Sequence, residues 1–446
     1  MEEQVTLAQM LRAREERTTR QQALLEQYGL PLVSFVMNIA GPVKDSPLIR
    51  QGFALGEKLL FQQLLRENVP CVYQEKVNAP TGPEGLYVVK ASAAQVKALA
   101  EELEEGFPLG RLWDMDVLSP QGIKLERAAP RRCLLCGKPA QVCARSRSHP
   151  LEELQNRTRQ LLEETIYRWE QETAASLACR ALLYEVSVTP KPGLVDRQNS
   201  GSHQDMDFYT FLDSAVELHS YFCRCVQMGQ RTRNQSPQET FSRLRLSGRL
   251  AESGMLAVTG GANTHKGAIF TLGLVCGGLG RLGMERWSSP ERVLAEAKAM
   301  AQGIVDQELS SLAENTARTP GERFYLQYGI TGVRGQAEQG FPAVLEVGLP
   351  VLETGLEQGR SRDEAGAGAL LSLLAQIQDT NMIRRGGIAA QREQSARLRI
   401  LLAKDPFPSR EILEALDLEY IQANWSPGGS ADLLALSWLL HFLREV

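Results

Sequence analysis

The first 160 residues alternate between two kinds of hydrophobic pattern. Short apolar runs rich in β-branched residues and bounded by glycine or proline predict strands. The stretch Ala93–Glu104 instead spaces Val96, Leu99 and Leu103 at helical intervals, which predicts an amphipathic helix. This mixture indicates an α+β fold. The predicted strands are Pro31–Ile39, Pro70–Val77, Leu86–Val89, Leu112–Leu118 and Ile123–Leu125.

The pattern changes near residue 160, after which strand signals nearly vanish and helical spacing dominates. We therefore predict two domains, an α+β domain over residues 1–160 and an all-α multi-helix domain over residues 165–446. The charged, helix-prone segment Leu151–Gln171 is the expected connector. The predicted helices of the second domain are Thr173–Tyr184, Phe208–Phe222, Met255–Gly280, Pro290–Leu312, Phe341–Gln358, Ala365–Arg384, Arg410–Leu416 and Ser430–Leu443.

Composition excludes several classes of protein. The 446 residues are 43% hydrophobic and carry a formal net charge of -4, so the chain is neither disordered nor broadly basic. We therefore expect no nucleic-acid partner and no membrane association. The most apolar stretches span at most 14 residues, too few to cross a bilayer, and the polar segment Met1–Arg20 does not resemble a signal peptide. With eight cysteines and no disulfide framework, a cytoplasmic protein is expected.

The first candidate for chemistry is the string GRLWDMDV at residues 110–117. Alternate side chains of a strand share a face, so Asp114 and Asp116 are expected to point the same way, about 7 Å apart. Such a pair suits Mg²⁺, which often serves phosphoryl and nucleotidyl transfer. Arg111, just before the pair, can bind a phosphate. The alternative is a solvated strand face that carries two acids by chance.

The second candidate is a cysteine-rich string that ends in RSRSH. Three thiols and an imidazole can form a tetrahedral zinc site, and the candidate ligands are Cys133, Cys136, Cys143 and His149. Residues 124–147 also contain seven Lys or Arg against one Glu, a local basic run that suits a polyphosphate or CoA-type anion. We favour the anion interpretation, in which the thiols pack and Arg145, Arg147 and His149 bind substrate, and keep structural zinc as the alternative.

The third candidate is the loop after Glu185, in which two prolines and two glycines fix an irregular backbone. Rigid loops that carry charged and polar side chains are common places for sites. An alternative for Asp205 or Asp207 is a capping role at the next helix. The candidate site residues of this loop are Lys191, Asp196, Asn199, His203 and Asp205.

A glycine-rich loop, GGANTHKG at residues 260–267, opens an apolar helix. Free N–H groups at a helix N-terminus beside a lysine bind anions, although the spacing is not that of a Walker A loop. The alternative is a plain turn between core helices. Three later loops have a similar mixture of residues, and the helices would have to bring all these loops to one end to bind a metal-chelated triphosphate. The candidates in the four loops are Asn263, His265, Lys266, Arg334, Asp379, Asn381, Arg385, Ser430 and Asp432.

These strings together resemble two known families. The half from about Trp169 onward contains KPGLVDRQNSGSHQDMD, GANTHKGAIF, YGITGVRG, DTNMIRRGG and SPGGSADLLALSW, and it resembles the triphosphoribosyl-dephospho-CoA synthases. The N-terminal half contains NIAGPVKDS, GRLWDMDV and CLLCGKPAQVCARSRSH. It resembles the apo-citrate lyase phosphoribosyl-dephospho-CoA transferases, also called holo-citrate lyase acyl-carrier-protein synthases. The whole resembles a fused, bifunctional enzyme whose N-terminal fold is expected to be nucleotidyltransferase-like.

The synthase resemblance implies that ATP and dephospho-CoA are substrates. A ribose hydroxyl of dephospho-CoA attacks the anomeric carbon of the ATP ribose, and adenine leaves through an oxocarbenium-like state. For this chemistry we assign His203 or His265 as the base or as the acid that protonates adenine. Lys191, Lys266 and Arg334 are assigned to the phosphates. The remaining assignments are Asp196, Asp205, Asp379 or Asp432 to Mg²⁺, and Asn199, Asn263, Asn381, Arg385 and Ser430 to substrate.

The transferase resemblance implies a second step. The phosphoribosyl-dephospho-CoA unit moves onto a serine of the citrate lyase acyl-carrier subunit, whose oxygen attacks the phosphorus nearest the ribose while pyrophosphate leaves. Asp114 and Asp116 would hold Mg²⁺ for this step. Arg111, Arg145 and Arg147 would neutralise the phosphate charge.

Two other interpretations stay open at this point. The malonate decarboxylase pathway uses the same prosthetic group and similar synthases, although the cysteine-rich string favours citrate lyase. A non-enzyme alternative is a zinc-ribbon nucleic-acid binder followed by a helical scaffold. The acidic balance of the chain and its lack of basic stripes with interleaved aromatic residues argue against that alternative.

Overall fold

The computed structural model describes residues 3–310, 317 and 319–446, and the chain divides into two compact units. The N-terminal unit is Met1–Trp169, and the C-terminal unit is Glu170–Val446. The N-terminal unit combines helices with a small sheet, whereas the described residues of the C-terminal unit form helices and no strand. The predicted α+β and all-α parts are therefore confirmed.

A four-stranded antiparallel sheet forms the centre of the N-terminal unit, with the strand order β2-β3-β1-β4. The elements are α1 (Leu7–Tyr28), β1 (Leu32–Met37), α2 (Pro47–Arg66), β2 (Cys71–Ala79), β3 (Gly82–Val89), α3 (Ala93–Gly106), β4 (Trp113–Leu118) and α4 (Ala140–Ser146). One core includes Phe35 and Trp113 of the sheet together with apolar side chains of α2 and α3. A smaller core contains Leu24 and Leu25 of α1. The sheet is thus packed between helices.

This sheet differs from the predicted one in two places. The turn-rich string after Val77 is mostly strand, since β2 continues to Ala79 and β3 begins at Gly82. Gly82 has a φ of +106°, which suits the tight turn between them. The predicted strand Ile123–Leu125 is only an isolated bridge from Leu118 to Lys124. Helices α1 and α2 are additional to the predicted elements.

Helix α5 (Leu151–Ser187) is a 37-residue helix that includes the boundary between the two units. Its first half contributes Leu162 and Ile166 to the N-terminal core. In its second half, Ala178 is fully buried. The predicted connector Leu151–Gln171 is therefore part of a regular helix, and its side chains Leu162 and Ile166 belong to a core.

Twelve further α-helices are described in the C-terminal unit. They are α6 (Phe208–Glu217), α7 (His219–Arg231), α8 (Pro237–Val258), α9 (Lys266–Leu282), α10 (Pro290–Ala301), α11 (Pro320–Tyr328), α12 (Gly332–Gln339), α13 (Leu349–Glu357), α14 (Arg362–Gln376), α15 (Thr380–Leu402), α16 (Arg410–Gln422) and α17 (Gly428–Leu443). Helices α9, α14 and α17 are buried along most of their length. Helix α9 packs against α7, α8, α10 and α17, and α14 packs against α13, α15 and α17. A helix that is apolar on all sides belongs in the interior of such an assembly.

Two predicted helices are interrupted by a loop. The predicted helix Met255–Gly280 is broken after Val258, and α9 begins only at Lys266. The predicted helix Ala365–Arg384 is also broken, because Asp379 caps a new helix, α15. The prediction was wrong in both places because the apolar pattern continues across a short polar loop, and periodicity alone does not reveal the break.

Other helices differ at their ends. The predicted helix Phe208–Phe222 consists of α6 and α7, which meet at Leu218. The predicted helix Pro290–Leu312 ends at Ala301, and its residues 311–312 lie outside the described residues. Within the described ranges, none of the helices combines the length and apolar character that a membrane span requires.

Candidate active sites

The glycine-rich segments of the C-terminal unit line one cavity of about 480 Å³. Its wall includes the loop after α5, the N-terminal end of α9, the loop before α12 and the N-terminal ends of α15 and α17. A cavity of this volume is in the usual range for small-molecule sites. The predicted site residues that line it are Lys191, His203, Asp205, Asn263, His265, Lys266, Asp379, Asn381, Arg385 and Asp432.

A buried ion pair stands in the wall of this cavity. Lys191 is 1% exposed, and its Nζ donates a hydrogen bond to Glu185 Oε1 at 2.5 Å. Burial raises the pKa of Glu185, and the charge of Lys191 opposes this rise without cancelling it. Removing either partner would leave a polar or charged group buried without compensation. The pair therefore holds the lysine at a defined position in the wall.

Asp196 and Asn199 stabilise the loop that carries Lys191. Buried Asp196 accepts hydrogen bonds from the backbone N–H groups of Lys191 at 3.0 Å and Gln198 at 2.7 Å. Asn199 donates from Nδ2 to Asp417 on α16 at 2.8 Å. In the part of the chain that the structure describes, neither residue lines the cavity. The structure thus does not bring the predicted Mg²⁺ ligand Asp196 or the predicted substrate ligand Asn199 to the site. The carboxylate of Asp196 binds amides of the loop, and the amide group of Asn199 joins the loop to α16.

His203 is held between two polar neighbours. Its Nε2 lies 2.9 Å from Ser426 Oγ, and its Nδ1 lies 3.2 Å from Arg385 Nη2. Asp205 Oδ1 lies 3.9 Å from Nδ1. Burial, followed by the charge of Arg385, lowers the pKa of His203 to about 4. The ring is therefore neutral at pH 7, with a neighbour at each nitrogen.

His265 is a buried residue immediately before α9. Its Nδ1 lies 2.7 Å from Ser214 Oγ, which also accepts a hydrogen bond from Thr264 Oγ1 at 2.8 Å. Its Nε2 is buried and has no hydrogen-bond partner among the described residues. Burial, followed by the charge of Lys191, lowers the pKa of His265 to about 3. The cavity wall thus contains a neutral imidazole with one unpaired nitrogen.

Besides the exposed Asp205, three carboxylates line the cavity, those of Glu185, Asp379 and Asp432. Asp379 accepts hydrogen bonds from two backbone amides of α15 and from both the N–H and the hydroxyl of Ser430. Asp432 lies so close to Gly267 that a Cβ at position 267 would overlap its Oδ2. Burial raises the pKa of Asp379 and of Asp432, and the charges of Glu185 and Asp379 add to the rise at Asp432. The cavity therefore concentrates negative charge that a cation would stabilise.

The other predicted residues are at exposed positions or outside the cavity. Asn263 and Lys266 line it from exposed positions, and Lys266 forms an ion pair with Glu252. Arg334 pairs instead with Glu308 through its Nε at 2.7 Å. Neither Arg334 nor Ser430 is among the described residues that line the cavity. The predicted contact of Arg334 with a phosphate is therefore not supported by its position.

In the N-terminal unit, three of the motif strings line a second cavity, of about 450 Å³. Asn38 comes from NIAGPVKDS, Arg111 from GRLWDMDV, and Arg147 and His149 from the cysteine-rich string. The backbone N–H of Asn38 donates to Leu112 O at 2.6 Å, so the first two strings are directly linked. Two arginines on one cavity give it a positive lining.

Asp114 and Asp116 share one face of β4, opposite the buried Met115. Each already has a cationic partner. Asp114 Oδ1 lies 2.8 Å from Arg131 Nη2, and Asp116 Oδ2 lies 2.5 Å from Lys124 Nζ. Neither carboxylate belongs to the described lining of the second cavity. A metal ion on this pair would have to exchange with the two side chains or share the carboxylates with them.

The cysteine-rich string brings four metal-binding groups together. One ligand atom from each of its four candidate residues lies within 4.8 Å of all the others, and these residues are Cys133, Cys136, Cys143 and His149. Burial opposes ionisation of Cys133, but hydrogen bonds from the amides of Leu135 and Cys136 and from neighbouring thiols together outweigh it and lower the pKa of Cys133 to about 7. Arg145, predicted to bind substrate with Arg147, is exposed and does not line the cavity among the described residues.

Family comparisons agree with this division into two sites. The model of the ATP:dephospho-CoA triphosphoribosyl transferases matches residues 171–446, and that of the apo-citrate lyase phosphoribosyl-dephospho-CoA transferases matches residues 5–165. The chain belongs to both families. It is therefore a fused, bifunctional transferase that makes triphosphoribosyl-dephospho-CoA and attaches the prosthetic group of citrate lyase. ATP and dephospho-CoA are the substrates that the family description implies.

Two relatives match almost the whole length of this chain, and a third matches its C-terminal part. "Protein CitXG" of Haemophilus influenzae is 36% identical over an alignment of 449 positions, gaps included. This alignment covers 97% of this chain and 95% of the relative. "Protein CitXG" of Leuconostoc mesenteroides subsp. cremoris is 32% identical over 468 residues, with 98% and 97% covered. A 2-(5''-triphosphoribosyl)-3'-dephosphocoenzyme-A synthase of Haemophilus ducreyi is 39% identical over 324 residues, 68% of this chain and 97% of the relative.

Three residues that shape the synthase site received no role from the sequence. Glu185 carries a recognisable signal, because it is an acid at the apolar end of a helix six residues before a lysine. Ser426 lies in the SPGGSADLLALSW string but before its glycines. Ser214 carries no signal, since nothing local marks it as the partner of His265, 51 positions away.

Proposed function

We propose that the C-terminal cavity binds ATP and dephospho-CoA side by side and joins them. A ribose hydroxyl of dephospho-CoA forms a bond to the anomeric carbon of the ATP ribose, the bond from that carbon to adenine breaks, and adenine leaves with a proton. The triphosphate remains on the product. The observation that carries this proposal is the convergence of polar, glycine-rich segments from several helix ends on one cavity of about 480 Å³.

We assign Mg²⁺ to the acidic part of this cavity. Oxygen donors are the ligands that Mg²⁺ prefers, and the raised pKa of Asp432 reflects burial close to two other carboxylates. A divalent cation would relieve that repulsion, so Asp432 is the principal assigned ligand, with Glu185 and Asp379 beside it. Asp205, whose side chain is 65% exposed, is a candidate for a further ligand. When bound, the ion would neutralise and restrain the triphosphate.

The proton of the attacking hydroxyl is assigned to His265. Its Nε2 has no partner within the described structure, and its low pKa keeps the ring unprotonated. The negative charge of a bound triphosphate would raise this pKa toward neutrality, where an imidazole is an effective base. His203, with Ser426 and Arg385 at its two nitrogens, is assigned to orienting the substrate.

The phosphates are assigned to positive groups that line the cavity. Lys266 and Asn263 stand at the N-terminal end of α9, where backbone N–H groups favour an anion. Arg384 and Arg385 line the cavity from α15. Lys191 adds a buried positive charge. These groups would hold the triphosphate while the bond to adenine breaks.

For the N-terminal unit we propose the second reaction, of the nucleotidyltransferase type. The serine oxygen of the citrate lyase acyl-carrier subunit bonds to the phosphorus nearest the ribose, and pyrophosphate leaves. Arg111 and Arg147, which line the cavity of about 450 Å³, would neutralise the phosphates. Asp114 and Asp116 fit Mg²⁺ by donor type, provided that the ion exchanges with Arg131 and Lys124 or shares the carboxylates with them. Each reaction is assigned to its own part of the chain, residues 1–160 and 165–446.

A mass measurement on the carrier subunit tests both reactions together. The full-length protein is incubated with ATP, dephospho-CoA, Mg²⁺ and the apo acyl-carrier subunit of citrate lyase. We expect one equivalent of adenine per turnover and a carrier mass increased by one phosphoribosyl-dephospho-CoA group, attached at a serine. Adenine release without carrier modification would contradict only the assignment of the N-terminal unit. An equal rate with the carrier subunit of malonate decarboxylase would contradict the assigned partner.

A further inference from the structure

Residues 119–150 form a long segment with almost no hydrophobic core of its own. Of these 32 residues, only Cys143 is buried. The regular structure described here consists of the short helix α4 and two isolated bridges, Leu118 to Lys124 and Arg132 to Pro139. A segment that buries so little apolar surface needs another source of stability, and small folds commonly obtain it from a disulfide or a metal ion.

The four groups of the cysteine-rich string are spaced for one metal ion. Cys136 Sγ lies 3.5 Å from Cys143 Sγ, and His149 Nε2 lies 3.3 Å from Cys136 Sγ. Tetrahedral zinc with Zn–S distances of about 2.3 Å places two sulfur ligands about 3.8 Å apart. With a Zn–N distance of about 2.0–2.1 Å, a sulfur and a nitrogen ligand lie about 3.5 Å apart. The S–S and N–S separations given above are slightly shorter than these values, and all four ligand atoms lie within 4.8 Å of one another, so small movements would admit the ion.

The backbone around the first two cysteines supports metal binding. The Leu135 amide lies 3.5 Å from Cys133 Sγ, and a donor at this position stabilises a thiolate. Gly137 has a φ of +71°, which lets the chain turn back directly after Cys136. The Cys133 amide then donates to Lys138 O at 2.6 Å and closes the turn. The C-x2-C segment is thus a tight turn that presents both sulfurs on one side.

We propose that Cys133, Cys136, Cys143 and His149 bind one zinc ion in a closed, structural site. Four protein ligands complete the tetrahedral coordination of zinc and leave no open position for catalysis. This proposal replaces the anion interpretation of the string for His149, whose imidazole lies against a thiol, and for Arg145, which is outside the cavity.

The site has a consequence for the transferase cavity. Cys133, Cys143 and His149 also line that cavity, together with Arg147. Directly before Cys133, the carbonyl of Arg132 accepts a hydrogen bond from Arg111. Zinc would therefore position the arginines assigned to the phosphates, and its loss would affect carrier modification without touching the residues of the synthase cavity.

Metal content gives the first test. We expect the full-length protein, purified without chelator, to contain about one equivalent of zinc per chain by elemental analysis. Cys136→Ser and His149→Ala should each lose most of it, whereas the matched control Cys71→Ala, a thiol of the same unit outside the cluster, should retain it. Protein that contains no zinc and takes up none when reduced and incubated with Zn²⁺ would overturn the proposal. So would an intact disulfide between Cys136 and Cys143 in freshly purified protein.

A second test avoids variants that might misfold for other reasons. Zinc is removed from the wild-type protein with a chelator and replaced by Co²⁺, whose absorption spectrum reports tetrahedral coordination by thiolates. We expect that spectrum, a loss of carrier modification of at least tenfold in the metal-free protein, and recovery on adding zinc. Adenine release, measured in the same chain without the carrier subunit, should change less than twofold. A Co²⁺ spectrum without thiolate coordination, or equal loss of both reactions, would contradict the proposed site.

Discussion

The two cavities have nearly equal volumes, about 480 and 450 Å³, but they are stabilised in different ways. In the synthase cavity, charged side chains such as Lys191 and Asp379 are 1% exposed and are held by neighbouring helices. In the transferase cavity, part of the wall comes from a segment in which only Cys143 is buried. A packed helical core can support buried charge directly, whereas the small unit has to fix an exposed segment by other means.

This difference predicts where a single substitution is most harmful. Lys191→Met removes the partner of buried Glu185, and we expect a loss of about 3–5 kcal/mol of stability in the C-terminal unit together with loss of adenine release. The double variant Lys191→Met/Glu185→Gln removes both charges and should recover most of the stability but not the activity. Denaturant unfolding and adenine release measure the two effects. Full activity in the double variant would show that the pair is only structural.

The unit boundary can be tested by truncation. A fragment of residues 1–169 retains Leu162 and Ile166 of the N-terminal core, whereas a fragment of residues 1–158 lacks both. At about 1.5–3 kcal/mol for each buried side chain, we expect the shorter fragment to be less stable by about 4 kcal/mol. The complementary fragment, residues 170–446, should still release adenine. Equal denaturation midpoints for the two N-terminal fragments would contradict the role of α5 in that core.

The acid pair on β4 is expected to affect one reaction only. Asp116→Asn should reduce carrier modification at least 100-fold, which corresponds to about 2.7 kcal/mol of transition-state stabilisation. Its ion pair with Lys124 is partly exposed, so the free energy of unfolding should change by less than about 1 kcal/mol. Adenine release should persist, and the exposed control Glu102→Gln should leave both reactions unchanged. If the variant modified the carrier near the wild-type rate, Asp116 would have no role in the transfer reaction.

The smallest expected effect concerns pH. The pKa of His265 is lowered to about 3 by burial, whereas a histidine in the unfolded chain has a pKa of about 6.5. Below pH 6.5 the histidine of the unfolded chain is protonated, whereas buried His265 is not. The contribution to the free energy of unfolding that is present above pH 6.5 is therefore lost as the pH falls toward 3. Between pH 7 and pH 5 wild-type protein should lose about 2 kcal/mol more than His265→Gln. Parallel pH profiles of the two unfolding free energies would contradict the burial of a neutral ring.

The elements that could be predicted from sequence are those with a clear apolar run or a clear apolar period. Strands β1 and β4 agree with the predicted runs Pro31–Ile39 and Leu112–Leu118 to within two residues at each end. Strand β1 is apolar at five of its six positions, and β4 alternates buried apolar residues with two aspartates. Helix α1 was not predictable in this way. Only Leu24 and Leu25 of its 22 residues are buried, so its hydrophobic period is too weak to detect.

The candidate sites show a similar division. The strings that line the synthase cavity were recognisable, since glycine, proline and polar residues cluster in them. The sequence did not reveal which side chains face the cavity, because their orientation depends on contacts between distant positions. Asp417 lies 218 residues from Asn199, and Arg385 lies 182 residues from His203. The first contact ties Asn199 to α16, and the charge of Arg385 adds to burial in lowering the pKa of His203.

The close approach of Gly267 to Asp432 also limits how this enzyme can evolve. A Cβ at position 267 would occupy the space of a carboxylate oxygen, so any other amino acid there must displace a side chain of the synthase cavity. Position 432 is linked in the same way, since a larger side chain than aspartate would collide with the start of α9. A library that varies one position at a time would therefore find few larger side chains at either position. New nucleotide preferences would have to be sought by randomising residues 267 and 432 together.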